Sequence, residues 1–456
     1  MKGNFAEDPI LPSLVRFALP VLLALFLQTM YGAVDLLIVG QFGGVLSDVY
    51  VSAVSTGSQV MHTFTIVITG LSMGLTVFVS NRIGAGQRQE AGQIIGSGIW
   101  LFGLIAAIAT VVMVLAAPWM AQAMQAPEAA FSQTVSYITI CSAGTVFIVA
   151  YNLVGSIFRG IGDSKIPLVT VAIACVLNIA GDLLLVAGFH MGAAGAAIAT
   201  VLAQAVSVLL SLLIIRGKSL PFEFTSRDIR IRGSYIKQIL KLGTPIAFQD
   251  LLVSLSFLAI IAIVNALGLT QSAGVGVAEK LCGFLMLAPS AYMQSMSAFV
   301  AQNIGAGKPE RARRALLYGI VTSLILSVFI AFATFFHGDL LAGIFAKSED
   351  VVLAAAEYLK AYAIDCLLTS FLFCFIGYFN GCGRTTFVML QGIIGAFGVR
   401  LPVSWLMSKQ PVVSLFHIGL ATPASTAVQI ALCFAYFAII LQSSQEKDSN
   451  RSLTTV

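Results

Sequence analysis

Residues 166–189 read IPLVTVAIACVLNIAGDLLLVAGF, an apolar run with Asn178 and Asp182 set into it four positions apart. A run of this length crosses the ~30 Å hydrocarbon core of a bilayer as a helix. On a helix the spacing puts the amide and the carboxyl on one face, one turn apart. An Asp near the centre of such a helix costs about 2.5–3.5 kcal/mol on insertion scales, and residues of this kind usually face a bundle interior, a water-filled cavity or an ion path. The plainer alternative is an interhelical hydrogen bond that only holds helices together.

The rest of the chain has the same character. Of 456 residues, 58% are hydrophobic and 10% charged, against about 25% charged in soluble domains. The mean hydropathy is +0.94. This is the composition of an all-α integral membrane protein; the alternating segments of a membrane barrel are absent. Twelve transmembrane spans are predicted, at 15–40, 51–80, 93–117, 131–155, 166–189, 192–215, 237–267, 273–301, 315–336, 352–378, 387–408 and 414–442. The first lacks a signal-peptide cleavage pattern and is kept as a span. The polar segment 443–456 is expected to be a disordered cytoplasmic tail.

Basic residues fall in alternate loops: Arg82 and Arg88, then Arg159 and Lys165, Arg216 to Arg232 with Lys218 among them, Lys308 to Arg314, and Arg384, with Lys2, Lys447 and Arg451 at the ends. The opposite loops hold little more than Lys347 and Lys409. By the positive-inside rule both termini are cytoplasmic, in a multi-pass plasma-membrane protein. The net charge of +5 is a topology signal, and nucleic acid is not expected as a partner. The seven cysteines form no Cys-x-x-Cys pair and read as packing residues. No His-Glu-x-x-His element or nucleophile–base set is visible, so catalytic residues, cofactors and a resident metal are not expected.

Two motifs repeat at one offset. Arg82-Ile83-Gly84-Ala85-Gly86-Gln87 returns as Asn303-Ile304-Gly305-Ala306-Gly307-Lys308, and Phe158-Arg159-Gly160-Ile161-Gly162-Asp163-Ser164 returns as Phe379-Asn380-Gly381-Cys382-Gly383-Arg384-Thr385, both 221 residues on. A single Gly-Ala-Gly reads as a helix C-cap. Two matches at one offset imply a duplicated six-span bundle, the copies related by an axis along the membrane normal. The predicted division is an N-terminal bundle over 1–215, a cytoplasmic linker at 216–236, a C-terminal bundle over 237–442 and the tail.

Asp35 in span one, Asn178 and Asp182 in span five and Thr200 in span six reach a similar depth in the outer half of the first bundle. Two carboxyls with an amide and a hydroxyl can hold a proton, or offer their oxygens to sodium; both ions stay open. Asn152 in span four points to the same bundle nearer its inner end, as a member of the site or as helix glue. Pro20 can bend span one, as a hinge or a static kink. The second half does not repeat the set, since Val399 and Val403 stand at the matching positions. It has Asp250, Asp365 and Arg400 near mid-membrane, with Asp365 and Arg400 expected to form a structural charge pair, and Glu279 with Lys280 read as an interfacial feature. Gln59, Met61, Met286, Met293 and Gln294 are weak candidates for contacts to an adaptable apolar ligand.

Twelve spans in two matching halves, the Gly-Ala-Gly turns and the Arg159-Gly160-Ile161-Gly162-Asp163 turn make the chain resemble the multidrug and toxic compound extrusion (MATE) family over nearly its whole length. Within the family it looks most like the DNA-damage-inducible F-type branch, through Asp35, Asn178, Asp182, Thr200, Asn152 and the bending Pro20. The resemblance implies exchange of protons or sodium for cationic or amphipathic organic compounds by alternating access, with the lipid bilayer as surroundings and a monomer expected. A lipid-linked oligosaccharide flippase and a membrane-embedded enzyme are the alternatives; the first needs a basic groove and the second a reactive constellation.

Overall fold

In lipid the backbone has to satisfy its own hydrogen bonds, and long apolar runs do so as helices. The computed structural model is accordingly helical throughout. It describes residues 5–454 apart from 218, 219, 221 and 223, with side chains described as far as 442, residue 226 excepted. Lys2 and Lys218 lie outside the described residues.

The helices run α1 Ile10–Phe42, α2 Ser47–Gly84, α3 Arg88–Ala123, α4 Glu128–Ala143, α5 Thr145–Gly160, α6 Lys165–Asp182 and α7 Gly192–Gly217. They continue as α8 Gly233–Asn265, α9 Leu269–Leu285, α10 Leu287–Gly305, α11 Pro309–Phe336, α12 Gly338–Gly343, α13 Glu349–Gly381, α14 Thr385–Ile393, α15 Leu401–Ser408, α16 Leu415–Gly419 and α17 Ala421–Thr454. A π-helical turn, Leu183–Gly188, follows α6, and another, Ile394–Arg400, joins α14 to α15.

Among the described residues ten helices are long and apolar enough to cross a membrane, and α4 with α5 makes an eleventh span bent by 51°. The predicted span four is therefore not a straight helix, and the helix of predicted span eight is interrupted at Met286. At the α4–α5 joint a Cβ on Gly144 would meet Val201 at 2.5 Å, so α7 presses into the bend. At Met286, between α9 and α10, the cause is Pro289, whose ring would strike the carbonyl of Leu285 and which has no N–H to offer it. The expected tail also differs, because α17 stays helical to Thr454. Residues 443–454 contain neither Gly nor Pro, so nothing in them stops the helix.

Exposed apolar side chains recur at helical spacing on outward faces, such as Leu104, Ile108, Val111 and Leu115 on α3 and Val321, Ile325, Val328 and Phe332 on α11. A lipid-facing surface has this pattern, and water would penalise it.

The chain forms two compact units, one of residues 1–251, 294–315 and 380–385 and the other of residues 252–293, 316–379 and 386–456. The first unit gathers α1–α7 together with the repeat-two turns α10–α11 and α13–α14, and so extends past the expected boundary at 216–236. Within it the repeated motifs meet. A Cβ on Gly84 would lie 1.9 Å from the carbonyl oxygen of Gln302, and one on Gly305 would lie 1.9 Å from that of Asn81. The first glycine of each motif is thus a backbone-on-backbone crossing, while Gly86 and Gly307, with φ of +74° and +69°, make the left-handed turn read from the sequence. Beside this crossing Phe5 is buried, its ring 5.1 Å from Phe17 and 5.0 Å from Phe299. Its carbonyl accepts from Asn303 Nδ2 and Arg311 Nη2, both at 3.1 Å.

The segment expected as a linker lies on α3. Ser97 donates to the Arg230 carbonyl at 3.2 Å, Tyr235 donates to Gln93 Oε1 at 3.3 Å, and Gly96 is bare where the Asp228 carbonyl crosses it. Hydrophobic clusters fill this unit, among them one around Leu75, Ile94, Phe102 and Ile239 and one around Val39, Val54, Met61 and Tyr137. The second unit has its own, around Val264, Val275, Tyr358 and Leu359.

Gly84→Val and Gly305→Val should each lower thermal stability of the detergent-purified protein by about 3 kcal/mol or more, since overpacking alone costs about 1–3 and here the obstacle is backbone. Gly103→Ala, where nothing lies within 4 Å of the new Cβ, should be neutral or slightly stabilising. Equal midpoints for all three would show that the crossing is not tight.

A buried carboxyl pair as candidate cation site

Three helices of the first unit each carry two polar side chains one turn apart: Tyr31 and Asp35 on α1, Asn178 and Asp182 on α6, Thr200 and Gln204 on α7. Small residues let the helices come close enough for these pairs to meet. A Cβ on Gly181 would sit 3.0 Å from that of Ala199, so α6 and α7 touch at the residues next to Asp182 and Thr200.

The four side chains read from the sequence converge. Thr200 Oγ1 donates to Asp35 Oδ2 at 3.3 Å, and Asn178 Nδ2 donates to Thr200 Oγ1 at 3.3 Å. The carboxyls of Asp35 and Asp182 lie within hydrogen-bonding reach of each other. Asp35 is 4%, Asn178 1% and Asp182 0% exposed. Four acceptor atoms of the set are buried with no donor: Asp35 Oδ1, both Asp182 oxygens and Asn178 Oδ1. Two ionised carboxylates can only accept, so they have nothing to give each other. The π-helical turn begins at Leu183, directly after Asp182, and such turns gather at functional positions.

Beside the set is a small cavity of about 10 Å³, room for about one water. It is lined by Tyr31, Tyr151, Asn178, Thr200 and Gln204 with apolar neighbours. Tyr31 and Gln204 hydrogen-bond to each other, and Gln204 Oε1 is a further buried acceptor with no donor. The sequence reading missed these two. Their signal was present, because each stands four residues from a recognised site residue on the same helix face.

Asn152 is not bonded into the set. Its Nδ2 donates to the Ile148 carbonyl at 2.9 Å and its Oδ1 accepts from Thr69 at 3.0 Å, which ties α5 to α2. Pro20 is buried within α1, which runs through it as one helix. None of the weak ligand candidates lines the cavity. Gln59 is exposed, Met61 is buried in an aliphatic cluster, Met286 and Met293 are half-buried in the second unit, and Gln294 is buried in the first.

The expected charge pair of the second unit takes another form. Arg400 and Asp365 are not in ion-pair contact; the guanidinium donates to Ser256 Oγ at 3.0 Å and lies 4.3 Å from the centre of the Phe257 ring, while Asp365 faces Thr426. Glu279 is half-buried, and its carboxyl accepts from the hydroxyls of Tyr358 and Tyr362, both at 3.2 Å. Those tyrosines were also missed, although Tyr358, Tyr362 and Asp365 share a helix face at spacings of four and three.

Residues 20–184 and 245–406 match the sequence model of the MatE family, one stretch for each repeat. The chain belongs to that family. It is 23% identical over 440 residues to a probable multidrug resistance protein, YoeA, of Bacillus subtilis, covering 95% of this chain and 94% of the relative. It is 22% identical over 421 residues to the multidrug export protein MepA of Staphylococcus aureus, covering 89% and 88%. Its fold matches the outward-facing structure of a multidrug resistance MATE family transporter of the MOP superfamily with a TM-score of 0.90 at 20% identity, over 98% of this chain and 99% of that one. The MatE chain described here is thus a multi-pass membrane transporter and not an enzyme.

Thr200→Val should leave Asp35 Oδ2 without its donor and Asn178 Nδ2 without its acceptor, costing about 1–3 kcal/mol. Thr200→Ser keeps both bonds and should lie within about 0.5 kcal/mol of wild type. Thermal unfolding of the purified proteins in detergent reads the difference.

Proposed function

We propose that this MatE transporter is a secondary multidrug exporter of the plasma membrane, driven by protons that bind the Asp35–Asp182 pair. The reading is carried by the two buried carboxyls in mutual reach with their acceptor atoms unmet. One proton shared between them supplies the missing donor and removes one of two adjacent negative charges. Sodium would need the carboxyls drawn apart around it, with Asn178 and Thr200 as further oxygen ligands. The names of YoeA and MepA support export of drugs, and cationic or amphipathic organic compounds are the substrate class we infer. The set Asp35, Asn178, Asp182 and Thr200, with Pro20 as the hinge of α1, supports placement in the DNA-damage-inducible F-type branch.

Transport then proceeds by alternating access. Protonation on the outside lets α1 bend at Pro20, where the helix lacks one hydrogen bond, and the proton leaves toward the cytoplasm as substrate goes out. Inward movement of one charge is worth about 2.3 kcal/mol per 100 mV of membrane potential. The basic loops support cytoplasmic termini.

Asp182→Asn should abolish gradient-driven dye efflux from proteoliposomes while leaving a folded, inserted protein. In wild type, efflux should follow an imposed pH gradient at equal sodium. Efflux that follows a sodium gradient at equal pH would reassign the ion, and undiminished coupled efflux by Asp182→Asn would remove the pair from the mechanism.

A further inference from the structure

The segment between α7 and α8 leaves part of itself uncovered, and the coupling reading makes no use of it. Its first half alternates inward: Phe222 is buried, and Leu220 and Phe224 pack with it against the cluster of Ile94, Ile95 and Phe102. Its second half alternates the other way, with Ile229 41% and Ile231 61% exposed. Arg227 and Arg230, beside and between them, are exposed as well. Asp228 is met inside the loop: its Oδ2 accepts from the amide and the hydroxyl of Thr225, both at 2.9 Å, and its Oδ1 lies 3.8 Å from the Arg232 guanidinium. Arg232 also donates to the carbonyls of Asp228 at 3.0 Å and Gln93 at 3.5 Å. Among the described residues neither Arg227 nor Arg230 enters an ion pair.

The depth of this segment follows from α3. Leu104, Ile108, Val111 and Leu115 form the exposed apolar stripe of that helix. Seven residues make two turns, so Ser97 continues the stripe about 10 Å beyond Leu104. Gly96 and Ser97 are buried because the segment lies on them. Ser97 donates to the Arg230 carbonyl, and a Cβ on Gly96 would lie 2.0 Å from the Asp228 carbonyl oxygen and 3.0 Å from the Ile229 nitrogen. Trp100 stands on the stripe between the two regions, half-buried, and tryptophan gathers where hydrocarbon gives way to headgroups. The segment thus takes over the outward face of α3 at the headgroup level. There an exposed isoleucine meets acyl carbon, and an exposed arginine meets phosphate.

We propose that residues 227–231 are a binding site for an anionic phospholipid of the leaflet on their own side of the membrane, with Arg227 and Arg230 on the phosphate and Ile229 and Ile231 among the first acyl carbons. Arginine suits the task because its planar guanidinium meets phosphate oxygens in pairs and keeps its charge. A zwitterionic lipid offers the same carbons with no net charge. Bound lipid would cover the two isoleucines and hold the segment against α3. The proposal does not depend on which ion binds Asp35 and Asp182.

The test uses the full-length protein in detergent, with native mass spectrometry counting bound lipid. Phosphatidylglycerol should bind more tightly than phosphatidylcholine of the same chains. That advantage should fall about five-fold in Arg227→Gln or Arg230→Gln and about thirty-fold in the double variant, while Lys347→Gln, in a loop elsewhere, should keep it. In nanodiscs, Ile231→Trp should add fluorescence that brominated phosphatidylglycerol quenches more than brominated phosphatidylcholine at equal mole fraction, above the background of the three native tryptophans. Because these side chains are exposed, every variant should keep the wild-type thermal midpoint in lipid-free detergent. Equal affinity for the two lipids would overturn the proposal, as would an advantage that the double variant retains. A dimer mass dissolved by the same substitutions would overturn it too, assigning the segment to a second copy of the chain. If the double variant fails to fold, the quenching of Ile231→Trp decides.

Discussion

A carboxylate taken into a membrane interior needs donors, an opposite charge or a proton, and the two units of this chain answer that need differently. In the first, Asp35 and Asp182 have the Thr200 hydroxyl, the Asn178 amide and each other. Asp182 and Thr200 come together where α6 and α7 meet at Gly181 and Ala199, with no side chain large enough to part them. The small residues of these helices therefore help to assemble the polar cluster, although none has a polar atom in its side chain. In a soluble protein, water could complete the coordination of such a pair at little cost; in lipid the geometry has to be built in.

The second unit holds a permanent charge, Arg400, among its buried residues. Its guanidinium sits on Phe257 and Ser256.

The membrane class, the span positions and the repeat were legible because each rests on local pattern: apolar runs, basic loops and a motif recurring 221 residues on. Asp35, Asn178, Asp182 and Thr200 were legible because a polar residue in an apolar run is conspicuous, and depth along a helix can be counted. Tyr31 and Gln204 were passed over because a tyrosine or glutamine in a span is less costly than a carboxylate. The broken span at Met286 was missed because its cause, Pro289, lies three residues past the break. The partners of Arg400 could not be had from spacing at all. They come from α8, where Ser256 and Phe257 lie 144 and 143 residues away along the chain, and only packing brings them near.

The crossing of Gly84 and Gly305 has a further meaning. Gly84 rests on Gln302 while Gly305 rests on Asn81, and these two supporting residues are themselves separated by 221 positions. Residue i of one copy meets j of the other, and j of the first meets i of the second. That reciprocity is the mark of an isologous two-fold contact between identical subunits. One chain here contains the interface of a symmetric dimer, with each copy providing both halves of the fit. Neither repeat is complete at this end without the other, so a substitution in one motif is felt at the backbone of its twin.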